Sequence, residues 1–334
     1  MLRTLFIAGL IGFFLVGCET KRQNFEPEVV AGKVRFDADL PGAIVDVTRN
    51  GATLDNGQIV TSAGLREVTL PKGFLLLGEF DEHFIAATTC GKLKILDASG
   101  VSVYERTFDN AVASASIEGD LLAVVDSTNR LMLIDMKTEE VRFLSKQDDV
   151  YALDSRMAAP YFLNSLVLFP TLDGKIVIVD KASASVIRDV VVSSDQFFNN
   201  VIFLDVVADR MVVATAKRVI SINPDATVFL DEEIKDVIVL ENRVFIFTKD
   251  GRVVLADADL NVLKERKFTF AVFSGVIHGE FVYIVEKGGY LIATDLDLVT
   301  TNVYELPSDI DTMIFATKDT LYVDDRYFQL GQRP

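Results

Sequence analysis

Residues 234–268 decide the fold: Ile234-Lys-Asp-Val-Ile-Val-Leu240, Glu241-Asn242, Arg243-Val-Phe-Ile-Phe-Thr248, Lys249-Asp250-Gly251, Arg252-Val-Val-Leu-Ala256, Asp257-Ala258-Asp259, Asn261-Val-Leu-Lys-Glu-Arg-Lys-Phe268. Runs of β-branched and aromatic residues alternate with Gly, Asp and Asn, which predicts four short strands joined by turns. The connections are too short to carry crossover helices, so neighbouring strands pair antiparallel.

The same grammar recurs along the chain. Gly91-Lys-Leu-Lys-Ile-Leu-Asp97 is matched by Asn129-Arg-Leu-Met-Leu-Ile-Asp135 and Gly174-Lys-Ile-Val-Ile-Val-Asp180. Lys217-Arg-Val-Ile-Ser-Ile-Asn223, Gly251-Arg-Val-Val-Leu-Ala-Asp257 and Gly289-Tyr-Leu-Ile-Ala-Thr-Asp295 continue the series. The closing positions 97, 135, 180, 223, 257 and 295 are about 40 residues apart on average, the period of a four-stranded propeller blade. A degenerate first unit runs from Ala43 to Leu70, and a last unit from Thr312 to Leu330 is one strand short. Gly32-Lys-Val-Arg-Phe36 resembles the fourth strands and is expected to complete the last blade, so that an N-terminal strand closes the ring. The expectation is an all-β, eight-bladed β-propeller of four-stranded antiparallel blades, with seven blades if the first unit forms no sheet of its own. Length alone, at 334 residues, suggests two domains; the repeat replaces that expectation with one ring over residues 32–330.

The N-terminus addresses the protein. Arg3 and the apolar stretch Leu5 to Val16 have the size of a signal peptide, too short for a comfortable bilayer span. Leu15-Val16-Gly17-Cys18 has the shape of a bacterial lipobox, predicting a leader over 1–17, acylation of Cys18 and a flexible leash over 18–31. Several acyl chains, each contributing roughly 0.8 kcal/mol per buried methylene, anchor a protein stably. Glu19 follows the Cys, where an Asp is associated with inner-membrane retention, so the expected place is the outer membrane, facing the periplasm. With Cys18 acylated, Cys90 is left without a thiol partner, and its apolar context suggests a small buried residue.

Composition removes several functions. A net charge of −16 argues against nucleic-acid partners and against a polybasic grip on anionic lipid. Two Cys, two His and no Trp leave little for a disulfide framework, a metal cluster or an imidazole-based site, so neither metal nor cofactor is expected. Asp257-Ala-Asp259-Leu-Asn261 begins like a calcium loop, but lacks the Gly at the sixth position and the closing Glu. It reads as a turn, as do Asp295-Leu-Asp297 and Asp37-Ala-Asp39. His83 and His278 both fall near a first-to-second-strand turn, which suggests structural roles.

The repeat tails, such as Leu96-Asp97-Ala98-Ser99-Gly100 and Val179-Asp180-Lys181-Ala182-Ser183, resemble those of quinoprotein-like propellers. Phe108, Phe143, Phe268 and Tyr304 stand near the points where the resemblance would place that group's docking Trp. The lack of Trp and of paired Cys argues against a quinone-dependent dehydrogenase. Lipobox, leash and blades together resemble the BamB family of lipoproteins of the outer-membrane β-barrel assembly machinery. The resemblance implies a non-enzymatic scaffold whose partner is a periplasmic domain of the barrel-assembly protein. It implies contact through Asp231, Glu232 and Glu233, and through the preceding loop with Gln196, Phe197 and Phe198. That loop, Ser194-Asp195-Gln196-Phe197-Phe198, has aromatics but not the Arg of the family. A propeller whose central channel holds a small ligand, one binding another envelope protein, and a periplasmic enzyme are the alternatives.

Overall fold

The computed structural model describes residues 23–207 and 209–331, so the leader and Cys18 lie outside the described residues. Ile234–Leu240, Arg243–Thr248, Arg252–Asp257 and Val262–Lys267 pair antiparallel in chain order as one sheet. Its second and third strands are buried almost throughout, while the fourth is largely exposed. The burial explains the sequence pattern: strands covered on both faces read as continuous apolar runs, and a solvated outer strand carries Lys, Glu and Arg. Gly251, in the turn between second and third strands, has φ +83°, and a Cβ there would lie 2.6 Å from the Phe268 carbonyl oxygen. Neither the conformation nor the space admits a side chain, which is why Gly recurs at this place. In the third unit Asn129 takes it, at φ +62°. Its amide bonds the Asp148 carbonyl (2.9 Å), Asp173 Oδ1 (2.8 Å) and the Leu172 N–H (2.8 Å), tying two blades together.

Eight such sheets follow one another over residues 44–69, 75–107, 112–146, 161–191, 203–231, 234–267, 273–305 and 314–329, here blades 1 to 8. The first unit does form its own sheet, so the ring has eight blades rather than seven. The buried apolar residues fall into eight clusters, one at each seam between consecutive blades; blade 8 meets blade 1 through Phe315, Tyr322, Ile44 and Leu54. The core is thus a ring of seams around a channel. Phe108, Phe143, Phe268 and Tyr304 pack in the seams that follow blades 2, 3, 6 and 7.

Closure differs from the expectation in detail. The outer place in blade 8 is taken by Ala38–Asp39, antiparallel to Arg326–Gln329, with the Gln329 N–H bonded to Asp37 Oδ2 at 2.7 Å. Asp37-Ala-Asp39, read as a turn, is therefore the closing strand. Both strand residues are exposed, and an outer edge held by backbone pairing tolerates acids that an inner strand would not. Gly32–Lys33 instead pairs parallel with Thr301–Glu305 as a fifth strand of blade 7. Between the two, Val34 is buried in the seam of blades 7 and 8 with Leu306 and Phe328. The described part of the leash is also held. Phe25 is buried edge-on against Tyr290 (5.6 Å) and Phe268 (6.4 Å) in the seam of blades 6 and 7.

Cys90 is exposed, contrary to the expectation. The second strand of blade 2 ends at Ala87, and Thr88 to Gly91 form its turn, closed by the Gly91 N–H to the Thr88 carbonyl (3.1 Å). His83 opens the second strand of blade 2 and lies against the Asp81 carbonyl (2.5 Å), whereas His278 ends the first strand of blade 7.

The recurring acid has a common task. Asp97 Oδ1 accepts the N–H groups of Ser99 (2.9 Å) and Val101 (3.0 Å), and Asp135 Oδ1 those of Lys137 and Thr138 (both 3.0 Å). Asp180 accepts from Ser183, Asp257 from Asp259 and Asn261, and Asp295 from Asp297, Val299 and Thr300. Each carboxylate closes a third-to-fourth-strand turn. Asp257 is thereby committed to its own loop, as the turn reading expects.

Burial works against the charge of Asp257 and Asp295, but these bonds favour the charged form throughout, and all five carboxyls are held below their ordinary range. A lowered folded value stabilises above the unfolded pKa, and that contribution is lost as pH falls through the folded value. Burial pushes Asp46 and Glu286 the other way, an opposing effect that is relieved on acidification. The urea midpoint is therefore expected to hold from pH 7 to about 5 and to drop below about pH 4, where unfolded Asp begins to protonate. An unchanged midpoint at pH 3.5 would contradict the turn-closing role.

Candidate docking face and central cavity

One face of the ring carries the connections between blades and the second-to-third-strand turns. Two of its loops are long: 147–160, between blades 3 and 4, and 192–202, between blades 4 and 5. They are bound to each other. The Phe198 N–H donates to the Ala152 carbonyl (3.0 Å), and buried Asn200 accepts from the Asp154 N–H (2.7 Å) while donating to the carbonyls of Asp154 and Arg156. Held in this way, the loops present Tyr151, Phe197 and Phe198 to solvent, with Tyr151 and Phe197 in ring contact at 6.4 Å. Exposed Phe270 and Val272 precede blade 7, and exposed Met313 precedes blade 8. Phe198, Val272 and Met313 line the mouth of one central cavity, so the exposed apolar groups surround its opening.

The predicted contact residues fall on this face and divide into two groups. Asp231 ends the outer strand of blade 5 and Glu232 and Glu233 connect it to blade 6; the three share a pocket of about 410 Å³ with Ser193, Asp195, Lys217 and Arg218. Each of the three acids is ion-paired within the protein. Asp231 meets Arg218 through two contacts (2.5 and 3.0 Å), Glu232 meets Arg252 through two (3.0 and 2.5 Å), and Glu233 meets Lys217 (2.6 Å). The Arg218 hydrogen bonds and charge hold the Asp231 carboxyl below its ordinary range. Gln196, Phe197 and Phe198 form the second group, exposed on the loop beside Tyr151.

The central cavity, of about 1180 Å³, has residues without a counterpart in the sequence reading. Arg49, in the first turn of blade 1, reaches across the channel. Its guanidinium bonds the Ile202 carbonyl and Asp236 Oδ1 (both 3.0 Å) and lies 4.7 Å from the Phe203 ring centroid, joining blade 1 to blades 5 and 6. No local pattern marks an Arg beside Asn50-Gly51 as a strut, because its partners are more than 150 positions away. Replacing Arg49 by Met leaves Asp236 half-buried without its cation, and a loss of about 2–3 kcal/mol is expected, below the range for fully buried pairs. Chemical denaturation checks it; Arg49→Met with Asp236→Leu should recover part of the loss, and a single variant as stable as the parent would remove the strut.

Lys235 is the second such residue. It is the extra residue of a bulge between Ile234 and Asp236, and it lines the cavity. The same bulge recurs in blades 1, 2, 3 and 7, where Val45, Leu77, Ala113 and Ser274 occupy the place. An alignment of first strands would have exposed this charge as out of pattern. Burial, then the nearby Arg156 charge, pushes the Lys235 ammonium below its ordinary range. Asp154 behaves oppositely: burial works against its charge, but Arg156 bonds it twice and holds it low.

Comparison with known proteins agrees with this architecture. The chain is 29% identical to the plasminogen-binding protein PgbB of Helicobacter pylori strain 26695, over 93% of this chain and 68% of that one. The PgbB of strain J99 matches equally, at 29%. Among solved structures, BamB from Moraxella catarrhalis superposes with a TM-score of 0.66 at 16% identity, covering 89% of this chain and 98% of that one. The C-terminal WD40 domain of Sif2 gives 0.69 at 11% identity, over 90% of this chain and 99% of that one, a likeness of fold alone. The family described as outer membrane protein assembly factor BamB matches residues 51–298, which run from the second strand of blade 1 to the last turn of blade 7. With that much of the ring covered, the chain belongs to the BamB family.

Proposed function

We propose that this protein is a non-enzymatic, lipid-anchored scaffold of the bacterial envelope, held at the outer membrane, whose loop face docks a periplasmic domain of the barrel-assembly machinery. The observation that carries the reading is the arc of exposed aromatics on bonded loops, in a chain of the BamB family. Aromatic groups on a rigid frame are what binding hot spots are made of, since they bury large area at little entropic cost. The acidic run contributes charge complementarity at the rim rather than free carboxylates, because each acid already has a cation.

The docking of Phe25 supports the same arrangement. Its ring lies against Phe268 and Tyr290, at the ends of strands that meet the loop face. Cys18 stands seven residues earlier, a span that reaches at most about 25 Å when extended. Acylation at Cys18 would hold the loop face close to the membrane. Affinity purification of the full chain from gently solubilised membranes tests the partner. Co-isolation of barrel-assembly components supports the reading, and their absence at every salt concentration rejects it.

A second reading follows from the relatives' name: the same face binds a host protein such as plasminogen. Saturable binding of plasminogen to the purified chain, lost on substitution of Phe197, would favour it.

A further inference from the structure

The central cavity is lined unevenly. Towards blades 7 and 8 its wall is Phe273, Val276, Ile310 and Ile314; beside them, on blade 6, stand Lys235 and Lys249, and Arg156 comes from the loop between blades 3 and 4. Of its four aspartates, Asp154 is bonded to Arg156 and Asp236 to Arg49. Asp46 and Asp311 remain against Lys235, Lys249 and Lys287, in a protein whose net charge is −16. Lys249 reaches Glu233 only at 4.0 Å, and among the described residues no carboxylate lies within ion-pair distance of Lys235.

Arg156 supplies the second observation. It gives Nε and Nη2 to Asp154 at 2.9 and 2.7 Å, which leaves Nη1 buried and, among the described residues, without a hydrogen-bond partner. A buried donor left unmet costs on the order of 1–3 kcal/mol, so folded proteins seldom keep one without a use. The loop that carries it is pinned by Asn200. The bulge at Lys235 belongs to a strand paired on the sheet, so both cations stand on fixed backbone.

We propose that the cavity binds a carboxylate carried on an apolar body, with the carboxylate at Lys235 and the Arg156 guanidinium and the body against Phe273, Val276 and Ile314. Such a group meets the guanidinium charge, neutralises a half-buried lysine and covers apolar wall in one event. It comes from a small amphiphile or from the carboxyl terminus of an apolar peptide chain entering the mouth. The proposal does not depend on the docking partner.

Calorimetry on the purified full chain distinguishes the sources with two probe pairs: 4-phenylbutyrate and 4-phenylbutanamide, and acetyl-Val-Leu-Phe as free acid and as amide. At least one acid should bind about tenfold or more tighter than its amide, the worth of a charge-assisted hydrogen bond. Preference for phenylbutyrate points to an amphiphile, and preference for the peptide acid to a chain terminus. Lys235→Met should abolish the acid preference while leaving the thermal midpoint unchanged or higher, since it removes a desolvated charge. Arg156→Gln is the second variant and should weaken the acid alone. Equal binding of acid and amide in both pairs, no acid binding in the millimolar range, or an unchanged preference in Lys235→Met overturns the site.

Discussion

Phe247→Ala should lower the stability of the protein by about 3–5 kcal/mol, the range for removing a fully buried aromatic ring. Phe247 is 0% exposed, in the second strand of blade 6, and its ring meets Phe273 across the seam (6.4 Å, 74°). Phe273 in turn meets Phe268 at 6.3 Å, and Phe268 meets Phe25. Edge-to-face contacts therefore link blade 6, blade 7 and the N-terminal segment. The cavity left by Ala cannot collapse easily, because both walls are sheets held by their own ladders. Phe247→Leu keeps much of the volume and should recover most of the loss. Denaturant midpoints of the three proteins check this, and a loss below about 1 kcal/mol for the Ala variant would mean that the seam is not close-packed.

Phe197→Asp together with Phe198→Asp should abolish retention of the docking partner while leaving the fold intact. The two rings are 51% and 50% exposed, so their removal uncovers little core. Phe198 has φ +54°, a conformation that Asp tolerates better than Phe. Stability should stay within about 0.5 kcal/mol of the parent, as for ordinary surface changes. An anchor aromatic at an interface is worth about 2 kcal/mol or more, so each substitution should weaken binding roughly 30-fold. Ile187→Asp, on the exposed outer strand of blade 4, is the matching control and should bind normally. Equal loss in all the variants would indicate general surface stickiness rather than a docking face.

The blades were legible because their cause is local. A strand covered on both faces must be apolar along its length, and Val244 to Phe247 or Val253 to Ala256 announce that without reference to the rest of the chain. Turn chemistry was equally local: Gly251 and Asp257 do in the structure what their positions in the repeat suggest. Closure was legible only as a need. Which residues meet it depends on backbone pairing at a solvated edge, where Ala38–Asp39 has no apolar signature and Gly32–Lys33 a misleading one. Cys90 was misread because apolar neighbours in sequence do not place a turn residue inside the sheet. At the candidate site the loops could be located from the repeat: Glu232 and Glu233 do connect blades 5 and 6, while Asp231 ends the strand before them. Their cations, the Tyr151–Phe197 contact and the Arg49 strut join residues that are distant in sequence. Such pairings are set by the geometry of the ring, and no window along the chain contains them.

The central claim, a loop face that docks a barrel-assembly partner, is tested most directly by site-specific photocrosslinking in cells. A photoreactive residue at position 197 should join the full chain to an outer-membrane assembly protein, while the same residue at position 187, on the outer rim, should not. Crosslinking to that protein from 187 but not from 197, or from neither position, would contradict the account.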